Sequence, residues 1–171
     1  MGVFATLKAG QLAGERLALV TKVSAALTQG GLFAALGGRG GGKTVASCAI
    51  AYKALTAGKT IRYTTATQML MEWQACFGPR PASSQIEIFQ IYREPGFLVI
   101  DEVGRSKLDS DFTVRILTEL IDARYGDLTS TLLVSNQTPE GFEQSVGDSI
   151  VSRLNEAGGI LKCNWPSFRD L

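Results

Sequence analysis

The octet Gly37-Gly38-Arg39-Gly40-Gly41-Gly42-Lys43-Thr44 satisfies every fixed position of the phosphate-binding pattern G-x-x-x-x-G-K-[ST]. Each residue type in it has a chemical task. Glycines let the backbone turn successive N–H groups toward a polyphosphate, where a side chain would block the approach. The Lys43 ammonium can reach β- and γ-phosphates as a point charge, and the Thr44 hydroxyl can ligate Mg²⁺. The flanking sequence suits the motif. Leu32 to Leu36 is a short apolar run that reads as a buried strand, and Val45 to Ala57 reads as a helix closed by Gly58, so phosphates would meet a helix N-terminus.

A second cluster lies downstream. Phe97-Leu98-Val99-Ile100 is a β-rich apolar run that ends in Asp101-Glu102. Asp101 can hold Mg²⁺ through the ion's water shell, and Glu102 can orient and deprotonate a water attacking the γ-phosphate. Asn136 ends the next strand, where it either hydrogen-bonds the γ-phosphate or the lytic water or simply caps a turn. No N-K-x-D segment for guanine is present, and no arginine-rich lid of the nucleoside-kinase kind. The chemistry therefore points to hydrolysis of ATP.

The elements needed to position these groups can be read from the pattern. Leu12 to Thr28 predicts an amphipathic helix, ended by Gly30-Gly31. Thr60 to Thr64 predicts a second strand, with helices near Thr67–Phe77 and Ser84–Arg93 separated by a loop carrying Pro79 and Pro81. After Asp101, a helix capped by Asp109 or Ser110 carries the stripe Phe112, Ile116, Leu117, Leu120, Ile121. Thr131 to Val134 predicts a strand, Asp148 to Ala157 a last helix and Ile160 to Cys163 a short final strand. Strands alternating with helices predict an α/β fold with a five-stranded parallel sheet, whose ligands bind at the carboxyl ends of the strands. Residues 1–30 are expected to form a tail and helix, and residues 31–171 the catalytic domain.

Composition sets the outer limits. At 171 residues, 45% hydrophobic and 19% charged, the chain has the make-up of one globular domain. There is no histidine, and Cys48, Cys76 and Cys163 lack metal-ligand spacing, so neither a zinc site nor a Ser-His or Cys-His centre is expected. The three cysteines read as small buried apolar residues. The absence of an apolar run of membrane length or a secretory signal predicts a cytoplasmic protein with no membrane partner. Net charge is +1 but uneven: residues 1–64 carry eight Lys/Arg against Glu15 alone, and residues 65–171 carry nine against fifteen acids. That asymmetry marks either a nucleic-acid-facing side or scattered surface lysines.

The motifs also occur in a telling series: Gly37–Thr44, Phe97–Gly104, Arg124-Tyr125, Val134–Thr138, Ser152-Arg153-Leu154 and Trp165-Pro166-Ser167-Phe168-Arg169. In this order and spacing they resemble the AAA+ ATPases of the DnaC-type helicase loaders and IstB-type transposition helpers, over roughly residues 30 to 170. The resemblance implies an AAA+ P-loop fold with little or no C-terminal lid, ATP and Mg²⁺ as cofactors, and self-assembly into a ring or helical oligomer. It implies Asn136 as the sensor-1 residue, Arg153 as an arginine finger reaching a neighbouring subunit's nucleotide, and Arg169 as the sensor-2 arginine of its own chain. A guanidinium supplied in trans couples hydrolysis to assembly.

The leading expectation from the resemblance is loading or remodelling of a replicative helicase on single-stranded DNA. A transposition helper acting on duplex DNA with a transposase is the alternative. A nucleotide-dependent adaptor with negligible turnover is the third, and intact Lys43, Asp101, Glu102 and Asn136 argue against it. Loaders of this type carry a separate N-terminal domain, for which the segment before the first strand is too short; that brevity suits a phage or mobile-element version. In the loaders, a helix matching Thr65 to Phe77 contacts single-stranded DNA, so Trp73 and Phe77 are expected either to stack on bases or to pack in the core.

Overall fold

The computed structural model describes residues 14–26, 30–104 and 110–163. The elements run α1 (Glu15–Ala26), β1 (Leu32–Leu36), α2 (Lys43–Thr56), β2 (Ile61–Thr65), α3 (Ala66–Ala75) and α4 (Gln85–Arg93). They continue with β3 (Phe97–Asp101), α5 (Ser110–Gly126), β4 (Ser130–Ser135), α6 (Pro139–Val146), α7 (Asp148–Ala157) and β5 (Gly158–Lys162). The five strands form one parallel sheet in the order β2-β3-β4-β1-β5.

Side-chain alternation along the central strands divides the core in two. Phe33, Ala35, Phe97, Val99, Leu132 and Val134 face a cluster containing Ala46, Ile50 and Ala54 of α2 and Leu19, Val20 and Val23 of α1. Leu32, Ala34, Leu36, Leu98, Ile100 and Leu133 face the other cluster, built on Leu117, Leu120, Phe142, Ile150 and Leu154. Both faces of β1, β3 and β4 are thus covered, which is why these strands read as continuous apolar runs. The apolar stripe of α1 is spent on this core rather than left free.

Arg124 of α5 fixes the far side of the sheet. It is 1% exposed, and burial pushes its guanidinium down to about 10. It donates to the carbonyls of Tyr92, Arg93 and Pro95, to that of Ser130, and to Thr131 Oγ1. One side chain therefore ties the end of α4 and the approach to β3 to the start of β4.

The structure adds an element that apolar periodicity did not predict. Helix α6 starts at Thr138, whose side chain accepts from Gly141 N, with Pro139 at the first helical position. That pair is a recognised helix-start signal, and its eight residues were too short to present a clear stripe. Trp73 is core: it is 4% exposed, stacks on Tyr92 at 5.7 Å and meets Phe89 edge-on. Its ring is not available to stack on bases. Phe77 stays 59% exposed and meets the Phe112 ring at 5.8 Å.

Candidate nucleotide site

The loop between β1 and α2 gathers at the carboxyl end of the sheet, as the parallel topology requires. Gly40 and Gly42 take φ of 83° and 86°, conformations that only glycine adopts without strain. Gly37 is excluded from bearing a side chain for a second reason, since a Cβ there would run into the carbonyl of Cys163 at the end of β5. Cys163 N in turn donates to Leu36 O at 2.6 Å. The loop thus leaves the sheet through a gap walled by backbone.

Lys43 is 5% exposed, and its ammonium donates to the carbonyls of Gly37 and Gly38, each at 2.7 Å. Burial lowers its pKa from the ordinary lysine value, with Cys163 and Asp101 acting against that shift. The cation is held directly under the loop, where a polyphosphate lying along the N–H groups would meet it. Arg39 and Gly38 are exposed on the loop's outer side, and Gly41 is buried.

The hydroxyl of Thr44 donates to Asp101 Oδ2 at 2.9 Å, joining the loop to the end of β3. Its proton goes to the carboxylate, and its oxygen lone pairs remain for a cation. Among the described residues no group of three or more His, Cys, Asp or Glu is placed to hold a metal by itself. One hydroxyl beside one carboxylate, next to a phosphate loop, is instead the donor set that Mg²⁺ takes together with substrate phosphates and water. The residues present fit that ion.

Asp101 is held from three directions. Besides Thr44, the phenol of Tyr63 donates to Oδ2 at 2.8 Å, and the backbone N–H of Glu102 donates to Oδ1 at 2.7 Å. Glu102 makes that turn at φ 59°, in the left-handed region that a glutamate rarely visits. The next two residues are clamped to β4. Ser135 Oγ donates to Val103 O at 2.7 Å, and Gln137 Nε2 donates to Gly104 O at 3.2 Å and Ser145 Oγ at 2.8 Å.

Asn136 is exposed at the end of β4, beside this clamp. It lines a cavity of about 350 Å³ with Gly37, Gly38, Gln137, Thr138, Glu140 and Lys162. The sequence-derived residues Gly37–Thr44, Asp101, Glu102 and Asn136 therefore converge on one end of the sheet. Arg153 is elsewhere. On α7 its guanidinium meets both carboxylate oxygens of Asp122, at 2.7 and 2.9 Å, and donates to the carbonyl and hydroxyl of Ser149. Arg169 lies outside the described residues. Tyr63 lies outside every motif of the series, and Ser135 and Gln137 lie within Val134–Thr138, where only Asn136 was expected to act. In the observed register Thr65 pairs with Asp101, and Tyr63 shares the face of Thr65 by the two-residue period.

DnaC, the replicative helicase loader of Buchnera aphidicola subsp. Baizongia pistaciae, is 23% identical over 131 residues, which is 76% of this chain and 53% of the relative. The uncharacterized protein YdaV of Escherichia coli K12 is 27% identical over 138 residues, 80% of this chain and 54% of that protein. The chain thus spans about half the length of the curated relatives it matches. Among solved structures, the DnaC helicase loader superimposes with a TM-score of 0.73 at 17% identity, covering 91% of each chain. AMPPCP-bound DnaA from Aquifex aeolicus gives 0.72 at 22% identity, over 93% of this chain and 49% of that chain. The fold is that of the AAA+ P-loop proteins. The profile of the IstB-like ATP binding proteins matches residues 26–169, and the chain belongs to that family.

Proposed function

We propose that this chain is a magnesium-dependent ATPase of DNA replication, which loads or remodels a replicative helicase on single-stranded DNA and hydrolyses ATP between its own subunits. The observation that carries the ATPase reading is the 2.9 Å bond from Thr44 to Asp101, which brings the phosphate loop and the acidic strand end into one site. The relatedness to helicase loaders supports the replication reading.

In this account the loop N–H groups and Lys43 bind the phosphates, and Thr44 with Asp101 holds the magnesium ion. Magnesium supplies neutralisation of charge on the phosphate oxygens. Glu102 orients the attacking water and takes its proton, and Asn136 fixes that water or the γ-phosphate. Arg153 serves the nucleotide of a neighbouring subunit, with Asp122 and Ser149 holding its guanidinium until that subunit docks. Arg169 reads the nucleotide of its own chain. Residues 31–171 form the ATPase domain and residues 1–30 an N-terminal tail and helix.

The match to IstB-like proteins favours a second reading, in which the chain assists transposition on duplex DNA with a transposase. Binding to labelled single-stranded and duplex DNA, side by side and with or without a non-hydrolysable ATP analogue, separates the two. Nucleotide-dependent preference for single strands is the expected result. Preference for duplex would transfer the assignment to the transposition helper, and binding to neither would leave a protein partner as the substrate.

A further inference from the structure

Tyr63 lies in no motif, yet its phenol donates to Asp101 Oδ2 at 2.8 Å. Its oxygen also lies 2.9 Å from Ser47 Oγ, which in turn lies 2.9 Å from the carbonyl of Thr44. These three contacts share two protons, one on each hydroxyl. With Tyr63 donating to Asp101, Ser47 donates to the Thr44 carbonyl or to the phenol oxygen.

We propose that Tyr63 is a positioning residue for the metal site, holding the Asp101 carboxylate in the orientation that receives magnesium; this rests on the magnesium-ATP reading above. Oδ1 is fixed by the Glu102 N–H, and Oδ2 is fixed from one side by Thr44 and from the other by Tyr63. Thr44 must also serve the ion through its lone pairs. Tyr63 has no such second duty, so it is the anchor whose position does not depend on the ion.

Outer-shell partners of metal ligands change metal affinity by roughly 10- to 100-fold when removed. The test is a titration of the whole chain with a fluorescent ATP analogue, in EDTA and across a magnesium series, for wild type, Tyr63→Phe and Tyr63→Met. Both variants are expected to bind the analogue in EDTA as wild type does. Both are expected to need roughly 10-fold more magnesium for half-maximal enhancement. Phe and Met repack the site differently, so a shift common to both reports the missing hydroxyl. A magnesium curve unchanged in the variants overturns the proposal, as does an equal loss of binding with and without magnesium. Failure of wild type itself to respond to magnesium would instead refute the magnesium-ATP reading.

Discussion

The backbone N–H of Glu102 donates to the carboxylate of its predecessor, Asp101 Oδ1, at 2.7 Å, and Glu102 takes a φ of 59° in doing so. A left-handed glutamate costs on the order of 1 kcal/mol or more, so this turn persists only because its surroundings fix it. The Thr44 and Tyr63 bonds to Asp101 and the Ser135 bond to Val103 supply that constraint. The strain sits at the residue assigned to activate water. Asparagine tolerates this conformation better than glutamate, so Glu102→Asn should raise unfolding stability by roughly 0.5 kcal/mol while removing turnover. Chemical denaturation beside an ATPase assay measures both. A clear loss of stability would contradict the strain argument.

Gly37 should tolerate no side chain. The Cβ of Gly37→Ala would meet the Cys163 carbonyl, and backbone cannot yield as a flexible side chain can. The expected cost is roughly 2 kcal/mol, with nucleotide affinity falling as the loop is pushed off β5. Gly38→Ala is the control, since nothing lies within 4 Å of a Cβ at that position. It should leave stability within about 0.5 kcal/mol of wild type. Equal melting of the two variants would remove the assigned clash.

Much of this site was legible in the sequence because its parts are tied to fixed chemistry. The glycine loop and Asp101-Glu102 follow apolar runs that form β1 and β3, and Leu32–Leu36 is a strand over the same residues that the pattern predicts. What escaped has physical reasons. Helix α6 is too short for periodicity and was signalled only by its Thr138-Pro139 start. Tyr63 acts across strands, and pairing of β2 with β3 is a long-range fact that local pattern does not encode. Trp73 could be core or surface on spacing alone, and packing on Tyr92 settled it as core.

Cys163 gives a pH prediction. Burial raises its thiol from 9.0 to about 11, with Lys43 pulling the other way. The folded value lies above the unfolded one, so the stabilisation is full below pH 9 and is lost as pH climbs toward 11. Its size is at most about 3 kcal/mol. Urea midpoints across that range should fall more steeply for wild type than for Cys163→Ala. Parallel curves would mean that the thiol ionises in the folded chain as it does in the unfolded one.

Arg153 tests the subunit interface. The pair with Asp122 is partly exposed, so Arg153→Ala should cost less than about 1 kcal/mol of stability. Arginine fingers contribute roughly 10³-fold or more to turnover, and that loss is expected with ATP binding retained. Mixing Arg153→Ala with Lys43→Ala should restore part of the activity, since one supplies the nucleotide site and the other the arginine. Mixtures no more active than their parts would place Arg153 outside any shared site.

The most direct test of the central claim is steady-state ATP hydrolysis with magnesium by wild type beside Glu102→Gln. The account predicts measurable turnover by wild type and a loss of at least about 100-fold in the variant, with ATP still bound. Equal rates in the two proteins would contradict it, because the carboxylate assigned to activate water would then have no part in the reaction.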